Sequence, residues 1–414
     1  YGNGSYGIKN ECRTAGCKYT INIENGAGIQ TSGSDAHGVY IEHNGAETTV
    51  AGNISTSGER SYGVYNKGNG NTTVVEEDGT INIGNSGGND AVGVYNNGDK
   101  NTTTVSGEIR TGEEDEINQE INVKSYGVYN NGDANLTTVS SNGQIITWGG
   151  SAHAILNEGT NNIATVFGGI TTYGLNSAGI WNEPGSSEKT TIALGGKITT
   201  TGKNSSGIYN LSQGNESIIA GMIATKGDGA YGIFNLGKGN QNNISGMVVT
   251  SGENADGIRN DGEDNLTYIN TSDRSVGGVY TSGTESNGVH NIGVGNETKV
   301  SGVIITTGTG SSGIYNSGSS NKTVIANNGI IGTSNANAHG VYNFGDNNKT
   351  FIAGNVNVSG NESYGIVNNG DGNLVEIAGT VCSGPLCGNS PRIAQTASAA
   401  LYNEGGSSNT FSLE

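Results

Sequence analysis

The stretch SGVIITTGTGSSGIYNSGSSN, Ser301–Asn321, decides the fold, because close variants of it recur along the whole chain of 414 residues. SYGVYNNGDANLTTV begins at Ser125, and AVGVYNNGDKNTTTV begins at Ala91. Repetition at about 25–36 residues is typical of solenoids, in which each repeat forms one turn that buries its apolar side chains only against its neighbours. The sequence therefore indicates a stacked repeat architecture.

The apolar residues of each repeat favour strands over helices. An Ile or Val follows a small residue at the same place in fourteen of the fifteen repeats, as in Gly313-Ile314, and β-branched residues prefer strands. Their regular spacing argues against a disordered chain, although glycine occurs 73 times. We predict an all-β fold, a single parallel β-solenoid (right-handed β-helix) of about 15 coils over residues 1–414. Loop insertions are expected near 112–123, 270–285 and 382–398, where the repeats differ most.

Two further positions recur in nearly every repeat. Asparagine stands two residues after the Ile or Val, where stacking predicts a hydrogen-bonded asparagine ladder: Asn66, Asn96, Asn130, Asn157, Asn182, Asn210, Asn235, Asn260, Asn291, Asn316, Asn343 and Asn368. An aromatic residue often stands between them, and strand alternation predicts an outward aromatic stripe: Tyr65, Tyr95, Tyr129, Trp181, Tyr209, Phe234, Tyr315, Tyr342 and Tyr402. The stripe either stiffens the solenoid by stacking or offers a sticky face to glycans, other copies or proteins.

Charge and cysteine content restrict the partners and the compartment. The net charge of −18 disfavours binding to nucleic acid, and no apolar run is long enough to span a membrane. The four cysteines form two equally spaced pairs, for which we predict local disulfides in an extracellular setting: Cys12 with Cys17 and Cys382 with Cys387.

The sequence offers little catalytic chemistry. His37, His153 and His339 share one position but lie in distant repeats, so they cannot share a metal, and His43 and His290 are isolated. Nucleophile-elbow, P-loop and zinc-protease motifs are absent. We therefore expect no enzyme, no catalytic residue and no cofactor, although the acidic run at Glu113–Glu120 could bind Ca²⁺ weakly.

Asn-x-Ser/Thr sequons recur at a second asparagine position. We interpret them first as turn formers and second as acceptors of glycans: Asn71, Asn101, Asn135, Asn265, Asn296, Asn321 and Asn348.

Ser301–Asn321 resembles the passenger repeats of bacterial autotransporters and related secreted β-helix adhesins. The resemblance covers almost the whole chain and implies a secreted or surface-attached, non-enzymatic protein. It further implies a structural or adhesive role, in which the polar and aromatic ladders are presented for attachment to host or cell-surface glycans and proteins.

Two alternatives stay open. SSNTFSLE at the end and YGNGSYGIKN at the start would together approximate one coil, which predicts head-to-tail self-assembly into a filament, fibre or sheath. A piece of a longer chain, or a chain whose leader was removed, would show the same ends. A β-helix enzyme that degrades polysaccharide would need a carboxylate cluster in a groove.

Overall fold

The computed structural model describes residues 2–11, 19–84, 90–112, 124–185, 187–270, 277–384 and 401–413. These residues contain strands and turns and no helix. The chain divides into two compact units, Tyr1–Ser212 and Gln213–Glu414, where the sequence alone indicates one continuous domain.

Unit 1 contains the first half of the strands. In chain order they are β1 Tyr6–Asn10, β2 Thr20–Ile23, β3 Gly28–Ser32, β4 His37–Ile41, β5 Glu47–Val50, β6 Asn53–Ser57, β7 Tyr62–Asn66, β8 Thr72–Val75, β9 Thr80–Gly84, β10 Ala91–Asn97, β11 Thr102–Val105, β12 Glu108–Thr111, β13 Ser125–Asn131, β14 Leu136–Val139, β15 Gln144–Thr147, β16 Ile155–Glu158, β17 Ile163–Val166, β18 Gly169–Thr172, β19 Ile180–Asn182, β20 Lys189–Ile192, β21 Lys197–Thr200 and β22 Ile208–Asn210.

Unit 2 contains the remaining strands. They are β23 Glu216–Ile219, β24 Met222–Thr225, β25 Ile233–Asn235, β26 Gln241–Ile244, β27 Met247–Thr250, β28 Ile258–Asn260, β29 Leu266–Ile269, β30 Gly278–Thr281, β31 Val289–Asn291, β32 Glu297–Val300, β33 Val303–Thr306, β34 Ile314–Asn316, β35 Lys322–Ile325, β36 Ile330–Thr333, β37 Val341–Phe344, β38 Lys349–Ile352, β39 Asn355–Val358, β40 Ile366–Asn369, β41 Leu374–Ile377, β42 Thr380–Ser383, β43 Leu401–Gly405 and β44 Thr410–Leu413.

Every third strand belongs to the same parallel sheet. In unit 1 the first sheet runs β1-β4-β7-β10-β13-β16-β19-β22, the second begins β2-β5-β8 and the third begins β3-β6-β9. In unit 2 the first sheet runs β25-β28-β31-β34-β37-β40-β43, with the second and third sheets built in the same way. Each unit is therefore a parallel β-solenoid with three strands per coil, which confirms the predicted fold class.

Register places each residue beside its counterpart in the next coil. Ile314 pairs with Val341, Tyr315 with Tyr342 and Asn316 with Asn343. Parallel pairing without slippage keeps inward residues inward, because a shift of one residue would turn every side chain to the other face. The interior is consequently a column of matching side chains.

The interior of a coil mixes apolar and polar side chains. In one coil of unit 2, Ile314, Ile325 and Ile331 are fully buried, and Asn316 and Thr323 are buried among them. Asn316 Nδ2 donates to Thr323 Oγ1 at 3.2 Å, so the two polar groups satisfy each other inside the column.

The glycine before the first strand is required by close approach between chain segments. A Cβ on Gly313 would lie closer than van der Waals contact to Ile331 Cγ2 and 2.7 Å from the carbonyl oxygen of Gly340. Because glycine has no side chain, Ile331 of the third strand and the backbone of the next coil can pack directly against the chain at Gly313.

The expected insertions fall largely outside the described residues. Residues 113–123, 271–276 and 385–400 are not described, and the acidic run and Cys387 lie among them. One expectation needs correction: residues 270–285 include β30, whose Val279 pairs with Val248 and Ile304. The extra residues of that repeat therefore precede a normal third strand rather than fill the whole segment.

Candidate functional site

The outer face of the first sheet carries the candidate site. In most strands of this sheet the outward residue lies between two buried ones, as the half-buried Tyr315 lies between Ile314 and Asn316. We call the row of residues at this position the aromatic stripe. A second row, the ring row, consists of the residues immediately before the glycine, and many of its members are rings: Tyr6, His37, Tyr62, Tyr126, His153, Tyr231, His339 and Tyr364.

The stripe residues stack on one another. The ring planes of Tyr65 and Tyr95 are 5° apart with centroids separated by 5.0 Å, and Tyr95 continues to Tyr129 at 4.7 Å. Trp181 and Tyr209 stack at 4.1 Å. Neighbouring rings thus cover each other's faces, and only their edges and hydroxyl groups face solvent.

Unit 2 has a stripe of its own, with interruptions. Tyr315 stacks on Tyr342 at 5.0 Å, Phe234 lies against Tyr231 of the ring row, and Tyr402 stacks on a ring-row tyrosine. Because sugars stack on exposed ring faces, this arrangement supports the stiffening interpretation of the stripe and weakens the sticky-face interpretation.

The asparagine ladder is inside the solenoid rather than on its surface. Asn291 Nδ2 donates to Asn316 Oδ1 at 2.8 Å, and Asn316 Nδ2 donates to Asn343 Oδ1 at 2.8 Å. In unit 1 the same bond joins Asn66 to Asn96. These asparagines are buried, so the expectation that the polar ladder is presented for attachment is wrong.

The sequon asparagines form a second buried row. Their side-chain oxygens accept backbone N–H groups from the preceding coil: Asn321 Oδ1 accepts from Asn296 at 2.9 Å, and Asn348 Oδ1 accepts from Asn321 at 2.9 Å. The seven sequon asparagines named above are each 0% exposed. The folded chain therefore offers none of them to a glycan, and turn chemistry is the correct interpretation.

Three histidines in the ring row have structural roles. His37 stacks on Tyr62 at 4.7 Å, and its Nδ1 accepts the Tyr62 amide at 3.2 Å. Burial lowers the pKa of His37 to about 4 and that of His339 to about 4, because the charged imidazolium loses its hydration. These histidines are neutral parts of a stacked row.

In unit 2 the ring row is interrupted in three successive coils. Asp256, Asn287 and Ser312 occupy the position that a Tyr or His holds in many other coils. Tyr231 precedes this gap and His339 follows it. Where the rings are missing, the structure has a groove of about 410 Å³ that Asp256, Asn287, Ser312 and His339 help to line. The three small polar side chains form its floor.

The floor is a continuous hydrogen-bonded chain. Asp256 is 2% exposed, and its Oδ1 accepts the backbone amide of Asn287 at 2.7 Å and the side-chain amide at 3.0 Å. Asn287 Oδ1 in turn accepts the amide of Ser312 at 2.8 Å. Asp256 and Asn287 are thus each held by a hydrogen bond from the next coil.

The stripe forms one wall of the groove. Its members there are Arg259, His290, Tyr315 and Tyr342. The guanidinium of Arg259 donates to Asp261 at 2.9 Å, and His290 stacks on Tyr315 at 4.6 Å. This wall is held rigidly by ion pairing and stacking.

Turn residues form the opposite rim. Asn254, Glu285 and Asn337 line it and have positive φ angles of 52°, 54° and 55°. Asn tolerates this conformation better than most residues. The groove therefore presents carboxylates, amides, an imidazole and phenol groups along one channel.

His290 makes contacts that the sequence did not indicate. Its Nδ1 lies 3.0 Å from Asp256 Oδ2, and its Nε2 lies 3.1 Å from Ser317 Oγ. The expectation that His290 is isolated is wrong, because its partners come from the preceding and following coils. The signal present in the sequence is the change from rings to Asp256, Asn287 and Ser312 at the ring-row position of three successive repeats.

The remaining expected sites have little structural support. Cys382 is buried in β42, while Cys12, Cys17 and Cys387 lie outside the described residues, so the disulfide pairing stays a prediction. Among the described residues, no group of three His, Cys, Asp or Glu side chains could hold a metal ion. Nor does this part of the chain contain a helix long and apolar enough to cross a membrane.

Comparison with known proteins agrees with the fold. No known family's sequence profile and no curated protein matches the chain. Among solved structures, the chain is similar to the cryo-EM structure of the Vag8–C1 inhibitor complex, over 95% of this chain and 99% of that one, with a TM-score of 0.52 and 16% identity. At this identity the likeness shows the fold alone. Vag8 is an autotransporter passenger, and in its β-solenoid fold the chain resembles that class, as its repeats indicated.

Proposed function

We propose that the chain is an extracellular attachment protein of the bacterial cell surface and that its binding surface is the groove of unit 2. The observation that carries this proposal is the gap in the ring row, where Asp256, Asn287 and Ser312 replace rings and open about 410 Å³ beside the stripe. Concave sites with converging polar groups are the usual places for ligands.

The chemistry of the groove favours a glycan. Asp256 and Glu285 accept hydrogen bonds, while Asn254, Asn287 and Asn337 both donate and accept. A sugar hydroxyl is also both donor and acceptor, so a chain of sugars matches such a lining. A protein partner is the alternative, and the structural neighbour was solved in complex with C1 inhibitor.

A substitution that restores the ring row tests the proposal. Ser312→Tyr would fill the groove with the residue that the same position holds at Tyr231 and Tyr364, so the fold should accept it. We expect this variant to lose binding to arrayed oligosaccharides and to intact cells. Ser206→Tyr makes the same change in the same row of unit 1 and is the matched control.

The outcomes separate the interpretations. Loss of binding in Ser312→Tyr alone would support the groove as the attachment site. If Ser312→Tyr binds glycans and cells as well as the unsubstituted chain, the groove is not the site. Loss in both variants would point to the outer face as a whole.

A further inference from the structure

We propose that Ser317, His290 and Asp256 form a serine-hydrolase relay that cleaves carboxylic esters of small acyl groups carried on a sugar or other polyol. The polyol part of this substrate rests on the proposed attachment function, whereas the hydrolytic step does not. This activity departs from the expectation, drawn from missing sequence motifs, that the chain is no enzyme. Such relays are recognised by geometry and roles rather than by order in the sequence.

The three side chains lie in the order that acyl transfer requires. Asp256 Oδ2 lies 3.0 Å from His290 Nδ1, and His290 Nε2 lies 3.1 Å from Ser317 Oγ. With the Nδ1 proton directed to the carboxylate, Nε2 is left to accept the Ser317 hydroxyl proton. The Asp256 carboxylate thus orients His290 as the base, and His290 accepts the proton of the nucleophile Ser317.

Asp256 is held firmly enough to orient the imidazole. Its side chain is 3% exposed, and its other oxygen accepts both amide groups of Asn287. Arg259 NH1 lies 3.9 Å from Asp256 Oδ2, which gives this buried carboxylate a nearby cation. A buried, anchored carboxylate of this kind fixes both the tautomer and the orientation of the histidine.

A purely structural role explains a histidine at position 290 less well than the catalytic role does. Tyrosine at position 290 would continue the stripe by stacking on Tyr315, as Tyr342 does from the other side. The nitrogens of His37 and His339 accept backbone amides, as expected for rings fixed in a row. In the described part of the chain, His290 is the histidine with side-chain oxygens at both nitrogens.

Two backbone amides follow directly after Ser317 in the chain. In the described chain the backbone N–H groups of Gly318 and Ser319 make no hydrogen bond. At the position of a later coil that corresponds to Ser319, the amide of Asp371 donates to Asp346 Oδ1 of the preceding coil. The coil that precedes Ser319 has Val294 at the position of Asp346, and a valine side chain offers no acceptor. In many serine hydrolases the amide directly after the nucleophile stabilises the oxyanion.

The reaction uses water as its only co-reactant. Ser317 Oγ attacks the ester carbonyl carbon while its proton passes to His290 Nε2, and the bond from that carbon to the alcohol oxygen breaks. The imidazolium returns the proton to the leaving oxygen. Water then attacks the acyl carbon on Ser317 and gives a proton to His290. The bond from that carbon to Ser317 Oγ breaks, the imidazolium returns the proton to Ser317 Oγ, and the carboxylic acid is released.

Covalent labelling of the purified full-length chain tests the relay. An alkyl fluorophosphonate should phosphonylate Ser317 with loss of fluoride, and peptide mass spectrometry should place the adduct there. We expect 4-nitrophenyl acetate to be hydrolysed, and both reactions to be lost in Ser317→Ala. His290→Tyr should also lose them while keeping the stripe stacked.

Asp256 is a positioning residue in this proposal, and Asp256→Asn isolates its role. The variant should slow labelling by at least about a hundredfold, because it favours the wrong histidine tautomer, while the melting transition changes little. Ser301→Ala is the control, because Ser301 Oγ bonds to Asn270 Oδ1 at 2.9 Å in the same unit and lies outside the relay.

Each outcome decides the proposal. Labelling confined to Ser317, and dependent on His290, supports it whether or not the groove binds glycans. An unlabelled Ser317 in the folded chain, or equal labelling in His290→Tyr, overturns it. Labelling of Ser301 at the same rate as Ser317 also overturns it, since an ordinary surface hydroxyl would then react as well.

Discussion

Replacing Asn316 by alanine should destabilise unit 2 more than replacing an asparagine on the outer face of the first sheet. Asn316 occupies the middle of the ladder, where its side chain takes part in three hydrogen bonds. It accepts from Asn291 at 2.8 Å and donates to Asn343 at 2.8 Å and to Thr323 at 3.2 Å. The alanine side chain can make none of them.

The size of the destabilisation follows from the hydrogen bonds that the partners of Asn316 lose. Asn291 Nδ2 keeps a second acceptor, Thr298 Oγ1 at 3.1 Å, whereas Asn343 Oδ1 loses its ladder donor inside the column. A buried acceptor left without a donor costs about 1–3 kcal/mol, and each of the two other bonds contributes about 1 kcal/mol. We therefore expect the free energy of unfolding of unit 2 to fall by about 3–5 kcal/mol.

Urea unfolding followed by far-UV circular dichroism measures this loss. With an m-value of about 2–3 kcal/mol/M, the midpoint of the affected transition should fall by about 1–2.5 M. Asn369→Ala is the matched control, because Asn369 bonds to Glu404 at 3.1 Å on the outer face, where water replaces the lost bond. Equal midpoints for Asn316→Ala and Asn369→Ala would refute the reasoning that the buried ladder stabilises the coil.

Two further predictions concern the corner glycine and the ring row. Gly313→Ala should destabilise unit 2 by about 1–3 kcal/mol, because the new Cβ would overlap Ile331. Gly28→Ala is the control and should change the melting temperature little, because its Cβ would meet only the Asn53 carbonyl oxygen at 3.8 Å. Similar losses of stability in both variants would contradict the close approach at Gly313. Burial lowers the pKa of His37 in the folded chain from 6.5 to about 4. Between these pH values the imidazole is protonated in the unfolded chain and neutral in the folded chain. The free energy of unfolding should therefore fall as pH falls from about 6.5 to about 4. His37→Tyr should remove up to about 3 kcal/mol of that loss, and parallel stability curves for the two proteins over this pH range would show that the imidazole is not held neutral.

The repeats by themselves determined the parallel β-solenoid, the inward Ile and Val residues and the stacking of like on like. The physical reason is that in-register parallel pairing sets each position of one coil beside the same position of the next, as Asn316 lies beside Asn343. A periodic sequence therefore specifies a periodic column, and the asparagine ladder can be predicted from identity of position alone.

Only the tertiary structure decided what the outer face can do. Asp256, His290 and Ser317 occupy different positions in three coils and are 34 and 27 residues apart in turn, so no common spacing indicates that they meet. Their contact depends on side-chain direction and on the space left where ring-row residues are missing. Whether a sequon such as Asn321 faces water, and whether a ring face is open, is likewise fixed by the neighbouring coil, because each coil covers the surface that the preceding coil would otherwise expose.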